Sequence, residues 1–321
     1  MILVLVETAE GGLTPLSQQA LTWARGVAGD APQAVVVGDH PATVRDQLGA
    51  QGVSVVHHPE DARLDRFSAS AWASALADVV AAEQPDLVVA AGTPRGTEVL
   101  AHLAARLDVP MAAGCVSLSV SDGWTATRQV MGGAALEDLR LAGSPRVATV
   151  AAHVVPATPA ASPSQPDVRR FTPSLSDADL VAQVVTLEPG TGGGADLAGA
   201  RVVVGGGRGA GGPDGFADLL ELAELLGGTL GVSRVVTSQG WRPHHEQVGQ
   251  TGTKIAPDLY VACGISGAIQ HMAGCQSAKT ILAINTDPDA PMVTRADYAV
   301  IGDMHKVLPA VNAEIKARRG A

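Results

Sequence analysis

The sequence predicts an α/β protein of two doubly wound domains, the first with an antiparallel β extension and the second on a parallel sheet. Three observations carry this. Short apolar runs alternate with segments of helical apolar spacing, and they do so in two separate blocks. Between the blocks, strand-like runs follow one another through Gly/Ser/Asp/Pro turns without helices. The composition is dominated by Ala, Gly and Val, with 3% aromatic residues, which suits buried parallel strands covered by Ala-rich helices.

The elements follow in order. "ILVLVET" reads as a strand and "PLSQQALTWARGVA" as the helix behind it. "AVVVGD" and "VSVVHH" read as strands, and "SASAWASALADVVAAEQ" as a helix with Ser68 or Ser70 as its N-cap. "DLVVAAGT" and "GTEVLAHLAARLDVP" give a further strand and helix. This rhythm predicts a parallel sheet with right-handed crossovers. After about residue 112, "GCVSLSVSDGWTATRQVMGG", "ALEDLRLAGSPRVATVAAHVV" and "AQVVTLEP" read as strands of the antiparallel extension. Within it, "PATPAASPSQPDV" reads as an exposed irregular loop. The glycine-rich stretch 188–200 is the expected boundary, giving domains 1–187 and 188–321. Beyond it the strands are "RVVVGGG", "LGVSRVVTS", "LYVACG", "TILAIN" and "YAVIGD", with "LPAVNAEIKARR" as the last helix.

Bulk properties exclude several classes. The 321 residues carry a net charge of −10 and no basic run beyond "IKARRG", which argues against a nucleic-acid surface. Cys115, Cys263 and Cys275 show no CxxC spacing, which points to a reducing compartment, and Cys263 and Cys275 read as small buried hydrophobes. "MILVLVETAEGG" has too short an apolar run, and no basic residues ahead of it, for a signal peptide. With no run near the ~18 apolar residues of a membrane span, the expectation is a cytoplasmic protein that does not span a membrane.

The chemistry concentrates in the second block. Three glycines and Arg208 follow "RVVV", where a ligand can approach the backbone and an arginine can meet a phosphate. The helix behind them has Asp214 as cap candidate, with Phe216, Leu219, Leu220, Ala223 and Leu226 on one face. Gly205-x-Gly207-x-x-Ala210 matches the dinucleotide fingerprint formally, but no acidic residue closes the next strand to bind a ribose. Ser233 and Arg234 fall within or just before an apolar strand, at a ligand or at a solvated strand end. Gln247, Gly249, Gln250, Thr251 and Gly252 form a polar, uncharged loop suited to a neutral heteroaromatic ring. His244 and His245 lack ligand partners at metal spacing and read as surface loop, so no metal site is expected.

In "LYVACGISGAIQHMAG", Ser266 as N-cap would put Gly267, Ala268 and Ile269 in a first helical turn with N–H groups free for an anion. Ile269 and Met272 share the apolar side there, and His271 lies away from it, able to add a positive or hydrogen-bonding group. Asn285, Asp287 and Asp303 follow the last two strands, where ligands of open α/β sheets collect.

These motifs are similar to a known family. "VVVGGGRG", "LGVSRVVTSQGW", "QVGQTG", "PDLYVACGISGAIQHMAG", "KTILAINTDPDAPM" and "ADYAVIGD" resemble, in order from about residue 200 to 309, the FAD-binding domain of the electron transfer flavoprotein alpha (large) subunit. "LVLVE" and "HLAARL" extend the likeness more thinly into the first half.

The resemblance implies one FAD in a parallel-sheet FAD-binding domain, at the junction with a beta subunit that holds AMP or a second flavin. Carried over position by position, Arg208 and Ser233 would contact the cofactor and Arg234 would lie near the isoalloxazine ring. Val248, Gly249, Gln250 and Thr251 would line that ring, with Thr251 near N5. Ser266, Gly267, Ala268, Ile269, Gln270 and His271 would embrace the pyrophosphate and flavin, His271 toward the N1/O2 edge. Asn285, Asp303 and Met304 would hold the adenosine. One-electron reduction puts negative charge at N1/O2, which Arg234 and His271 would stabilise.

The implied function is an electron carrier without a catalytic residue or substrate reaction of its own. It would take electrons from flavin dehydrogenases, such as the acyl-CoA dehydrogenases of fatty acid beta-oxidation, and deliver them to a membrane quinone reductase or another acceptor. This sequence departs from the family in Thr253-Lys254, in "GGAALEDLRLAG" and in Met304-His305. Two other readings share the fold. An NAD(P)-dependent oxidoreductase needs a ribose selector and a catalytic pair, and a non-redox nucleotide-binding module would carry no flavin.

Overall fold

Ile2–Val6 (β1) is apolar and buried at every position, the pattern of a strand covered on both faces. The computed structural model describes residues 1–9, 12–28, 31–38, 42–121, 123–131, 135–186 and 197–319. The chain divides into two units, Met1–Glu188 and Pro189–Ala321. Most of the glycine-rich stretch 188–200 lies outside the described residues.

In the first unit, β1 is followed by the short pair Thr8–Ala9 (β2) and Gly12–Leu13 (β3), helix Pro15–Ala28 (α1) and strand Gln33–Val36 (β4). Ala42–Ala50 (α2), Val55–Pro59 (β5), Ala69–Glu83 (α3), Leu87–Ala91 (β6) and Pro94–Leu107 (α4) complete the wound part. Met111–Ser119 (β7), Thr125–Val130 (β8), Ala135–Arg140 (β9), Arg146–Val150 (β10) and Asp167–Phe171 (β11) follow. Together they make one sheet of nine strands in the order β11-β5-β4-β1-β6-β10-β7-β8-β9. The β7-β8-β9 portion is antiparallel, as expected.

Four features differ from the sequence reading. The α2 helix was not expected; Val44 and Leu48, one turn apart and fully buried, hold it. The β10 strand lies not in the extension but between β6 and β7, parallel to both, and its "VATV" is buried throughout. "AQVVTLEP" forms no strand over 182–186, and Val185 is largely exposed. The place beside β5 belongs to β11, whose first residues had been read as loop. Residues 156–166 are irregular and mostly exposed, pinned by Ala160 N–H to Ala50 O and Ser164 N–H to Gly49 O. Between the two cap candidates of α3, Ser68 takes the role, its hydroxyl accepting from Ala71 N–H.

The second unit contains Val202–Gly206 (β12), Ala217–Leu225 (α5), Thr229–Val232 (β13), Arg234–Ser238 (α6) and Leu259–Cys263 (β14). Ile269–Cys275 (α7), Ile281–Asn285 (β15), Pro291–Arg295 (α8), Tyr298–Ile301 (β16) and Met304–Arg319 (α9) end it. Its sheet is wholly parallel, in the order β13-β12-β14-β15-β16. Val204, Val261 and Ile284 face Phe216, Leu219 and Leu308 on one side. Val203, Tyr260 and Ala283 face Met272 and Met292 on the other. The chain leaves β12 for β13 on one side and returns to β14 on the other, so the switch point lies between β12 and β14.

Here too the local readings need correction. Asp214 does not cap α5; it sits in a 3-10 turn, Pro213–Phe216, that precedes the helix. Leu222, not Leu220, completes the buried face of α5. "LGVSRVVTS" is not one strand: β13 stops at Val232, Ser233 stands at the N-cap position and α6 begins at Arg234. β-branched residues favour strands only weakly, and the short helix instead buries Val236 in the core.

Candidate functional site

All five strands of the second unit end on one side, and the segments that follow them converge there. Two of these segments, after β12 and after β14, touch backbone to backbone. Gly207 N–H donates to Cys263 O and Gly209 N–H to Gly264 O, at 2.9 and 3.0 Å. A Cβ on Gly264 would stand 2.6 Å from Gly209 Cα, so glycine is needed on both sides of this contact. The sequence reading gave these glycines to an approaching ligand; much of their role is to let two loops meet.

Between these segments lies a cavity of about 790 Å³, within the usual size range of small-molecule and cofactor sites. Fifteen of the sixteen residues expected to bind a cofactor line it. Arg208, Ser233 and Arg234 come from the ends of β12 and β13, and Val248 to Thr251 from the following loop. Ser266 to Ala268, Gln270 and His271 come from the segment after β14, and Asn285, Asp303 and Met304 from the ends of β15 and β16. Ile269 is the exception: it is absent from the wall and 60% exposed.

The loop after β14 differs from expectation in detail. Ser266 is not the N-cap; α7 starts at Ile269 with Ala268 before it and no side-chain cap. Asn285 shapes this loop, its Nδ2 donating to Ile265 O at 2.9 Å while its Oδ1 accepts from Asp287 N–H. Met292 N–H binds Ser266 O. Gly267 has φ +82°, and a Cβ there would lie 2.3 Å from Met292 N. The N–H groups of Ser266, Gly267 and Ala268 find no protein acceptor among the described residues. Three donors at a cavity wall suit an anion.

The helical wheel placed Ile269 on the apolar side of this segment and His271 away from it; the structure reverses them. His271 is buried, and its Nε2 lies 2.8 Å from Tyr260 Oη. Burial pushes its imidazole down to about 4, with the Val248 backbone opposing, so the ring is neutral at physiological pH. Of the two roles left open for it, hydrogen bonding remains and positive charge does not. Its Nδ1 is buried as well.

Positive charge comes instead from Arg208 and Arg234, both exposed at the cavity and without an ion-pair partner among the described residues. Thr251 is held from behind: Gln247, buried, donates Nε2–H to Thr251 Oγ1 at 3.0 Å and accepts from Thr237 Oγ1 at 2.6 Å. Thr251 lines the cavity, and its hydroxyl donates to no protein acceptor among the described residues. At the far end, Asp303 Oδ1 accepts from His305 N–H, fixing the start of α9.

Ser238 and Gln239 also line the cavity and escaped the sequence reading, because their segment was taken for a strand. Asp287 and Gln247 had been noticed in their motifs but not counted as cofactor contacts. His244 and His245 are exposed in a 3-10 turn. Cys115, Cys263 and Cys275 are free and buried. Among the described residues, no group of three or more His, Cys, Asp or Glu could hold a metal, and no helix is long and apolar enough to cross a membrane.

The sequence matches two family descriptions: the electron transfer flavoprotein domain over residues 2–176 and the electron transfer flavoprotein FAD-binding domain over residues 196–276. It is similar to the electron transfer flavoprotein subunit alpha of Mycobacterium tuberculosis (strain H37Rv), with 38% identity over 321 residues and 99% of each chain covered. The corresponding subunit of Bacillus subtilis (strain 168) is 34% identical over 317 residues, covering 98% of this chain and 97% of that one. That of Megasphaera elsdenii is 35% identical over 331 residues, covering 99% and 97%.

Proposed function

Because the chain belongs to the electron transfer flavoprotein alpha-subunit family, we propose that its flavin is one FAD, held along the cavity of the second unit in a heterodimer with a beta subunit. The observation that carries this reading is the gathering of the cofactor-motif residues around one cavity at the strand ends. Its unpaired groups fit the parts of such a ligand. Two arginines and three loop N–H groups without protein acceptors suit a pyrophosphate and a ring that gains negative charge on reduction.

In this reading Ser266 to Ala268 and Arg208 hold the pyrophosphate, and Asn285, Asp303 and Met304 hold the adenosine. Val248 to Gln250 lie against the ring, Thr251 offers its hydroxyl proton to the ring's central nitrogen, and Arg234 and His271 meet the pyrimidine edge. Bound flavin supplies the electron transfer itself. The chain's own part is to exclude water and to present donors where charge accumulates on reduction. Electron donors would be flavin dehydrogenases, and acceptors a membrane quinone reductase or a comparable protein. The chain then acts as a carrier and not as an enzyme on a substrate.

The test is to co-express the chain with its partner subunit and to count extracted flavin per heterodimer by chromatography and mass. One FAD lost selectively on Arg208→Ala or Arg234→Ala supports the reading. A colourless heterodimer, or flavin retained by the beta subunit alone, overturns it in favour of a nucleotide-binding module without redox function.

A further inference from the structure

Gln247 stands between two hydroxyls, and a hydroxyl can give a hydrogen bond or take one. Its backbone is pinned: the N–H donates to His244 O at 3.0 Å, and the carbonyl accepts from Thr253 N–H at 2.7 Å. The residue is 2% exposed. Its Nε2 lies 3.0 Å from Thr251 Oγ1 on one side, and its Oε1 lies 2.6 Å from Thr237 Oγ1 on the other. Thr237, which does not line the cavity, has a second acceptor within reach, Arg234 O at 3.0 Å. Thr251 is exposed on the cavity wall.

Two arrangements run through these three side chains. In the first, Thr237 O–H donates to Oε1, Nε2–H donates to Thr251, and the Thr251 proton is left for the cavity. In the second the amide is turned over, which exchanges oxygen and nitrogen with almost no change of shape. Nε2–H then donates to Thr237, whose own proton turns to Arg234 O, and the amide oxygen takes the Thr251 proton. Thr251 now presents a lone pair to the cavity. The first arrangement has two bonds within the chain and offers a donor; the second has three and offers an acceptor. A ligand atom that accepts makes up the difference and holds the first, whereas one that donates favours the second.

We propose that Gln247 is a positioning residue with two positions: its amide turns over when the bound flavin is fully reduced and, with Thr237, switches Thr251 from donor to acceptor. The inference rests on the flavin-site reading above, in which Thr251 meets the ring's central nitrogen. In oxidised flavin that nitrogen accepts a hydrogen bond. Two electrons from the donor protein and one proton from water place a hydrogen on it, and it becomes a donor. A Thr251 hydroxyl fixed as a donor would then oppose the new N–H, proton against proton. The turned amide removes that conflict.

The experiment uses the intact heterodimer with glutamine side chains labelled by 15N. The Gln247 amide is assigned from the signal lost in Gln247→Leu. The threonine methyl nearest its protons is read by nuclear Overhauser effects, in the fully oxidised and the fully dithionite-reduced protein. The expected contact is Thr251 when oxidised and Thr237 when reduced. Thr237→Val keeps the branched shape and removes the hydroxyl, which costs the second arrangement two bonds and the first only one. This variant should keep the Thr251 contact in both states and disfavour full reduction about tenfold, the scale of one neutral hydrogen bond.

The same contact in both states of the wild type overturns the proposal, and so does a Thr237→Val protein whose contact and potential match the wild type. If Thr237→Val does not fold, the wild-type contacts alone decide. A heterodimer without flavin defeats the flavin reading and this inference with it; a flavin-bearing heterodimer with an unchanged contact defeats the switch alone.

Discussion

At the scale of single residues, the site depends on a few positions where one atom decides. Gly267 is the sharpest, since its left-handed φ and its contact with Met292 each exclude a side chain. Gly267→Ala should cost about 1–3 kcal/mol of stability, seen as a lower melting temperature. It should also weaken flavin retention, because the loop N–H groups would turn. Gln247→Leu keeps the volume of a buried side chain but removes the donor that orients Thr251. It should leave the fold intact while lowering the flavin potential; unchanged potential with unchanged flavin content would show that Thr251 needs no brace. The histidine stood out in the sequence as a candidate ligand group, but its neutrality did not, because that follows from burial beside Tyr260.

At the scale of elements, the first unit contains two buried carboxyls that respond to pH in opposite directions. Burial pushes Glu7, at the end of β1, above its ordinary range, against the lowering effects of Thr93, Arg95 and Gly96. Its contribution is therefore present below the ordinary carboxylate range and is lost as pH rises through its folded value. Burial also raises Asp179, but hydrogen bonds from Ser176, Ser70 and Arg106 outweigh it and hold the carboxyl at about 2. Its contribution is present above the ordinary value of 3.8 and is lost as pH falls towards 2.

Asp179→Asn should cost about 1.5–3 kcal/mol near neutrality, the range for hydrogen bonds to a charged group, and the deficit should shrink in acid. Glu7→Gln should stabilise the protein near neutrality and lose that advantage in acid. Melting temperatures across pH check both, and parallel curves for wild type and variants would refute them. Ser68 shows why the elements were only partly legible. Either serine could start the helix by sequence, and the choice fell to Ser68 because its hydroxyl also reaches Asp179 O at 2.7 Å.

At the scale of the whole chain, the second unit ends its sheet in an open edge. Tyr298, Val300 and Ile301 on β16 are 67%, 39% and 53% exposed, although they form part of a parallel strand. Such strands are normally covered on both faces, and exposed apolar edges invite association. The chain produced without a partner subunit should self-associate with rising concentration in sedimentation experiments. Ile301→Lys should reduce that association without lowering the melting temperature; a monomeric wild type at high concentration would remove the argument. Reading "YAVIGD" as a strand was straightforward, whereas its exposure could not be read, because apolar residues in sequence say nothing of which strand lies at the edge.

Most of the alternation of strands and helices, the switch from wound to antiparallel texture and the clustering of candidate ligand groups after strand ends were legible by sequence alone. They depend on local periodicity and on turn chemistry, which act within a few residues. The tertiary structure decided what depends on distant partners. It put β10 in the middle of the sheet, turned "RVVTS" from strand to short helix, exposed Ile269 and buried His271. Each of these turns on free energy gained outside the local segment, such as from β6 for β10, and that gain outweighs the small local preference on which a sequence reading rests.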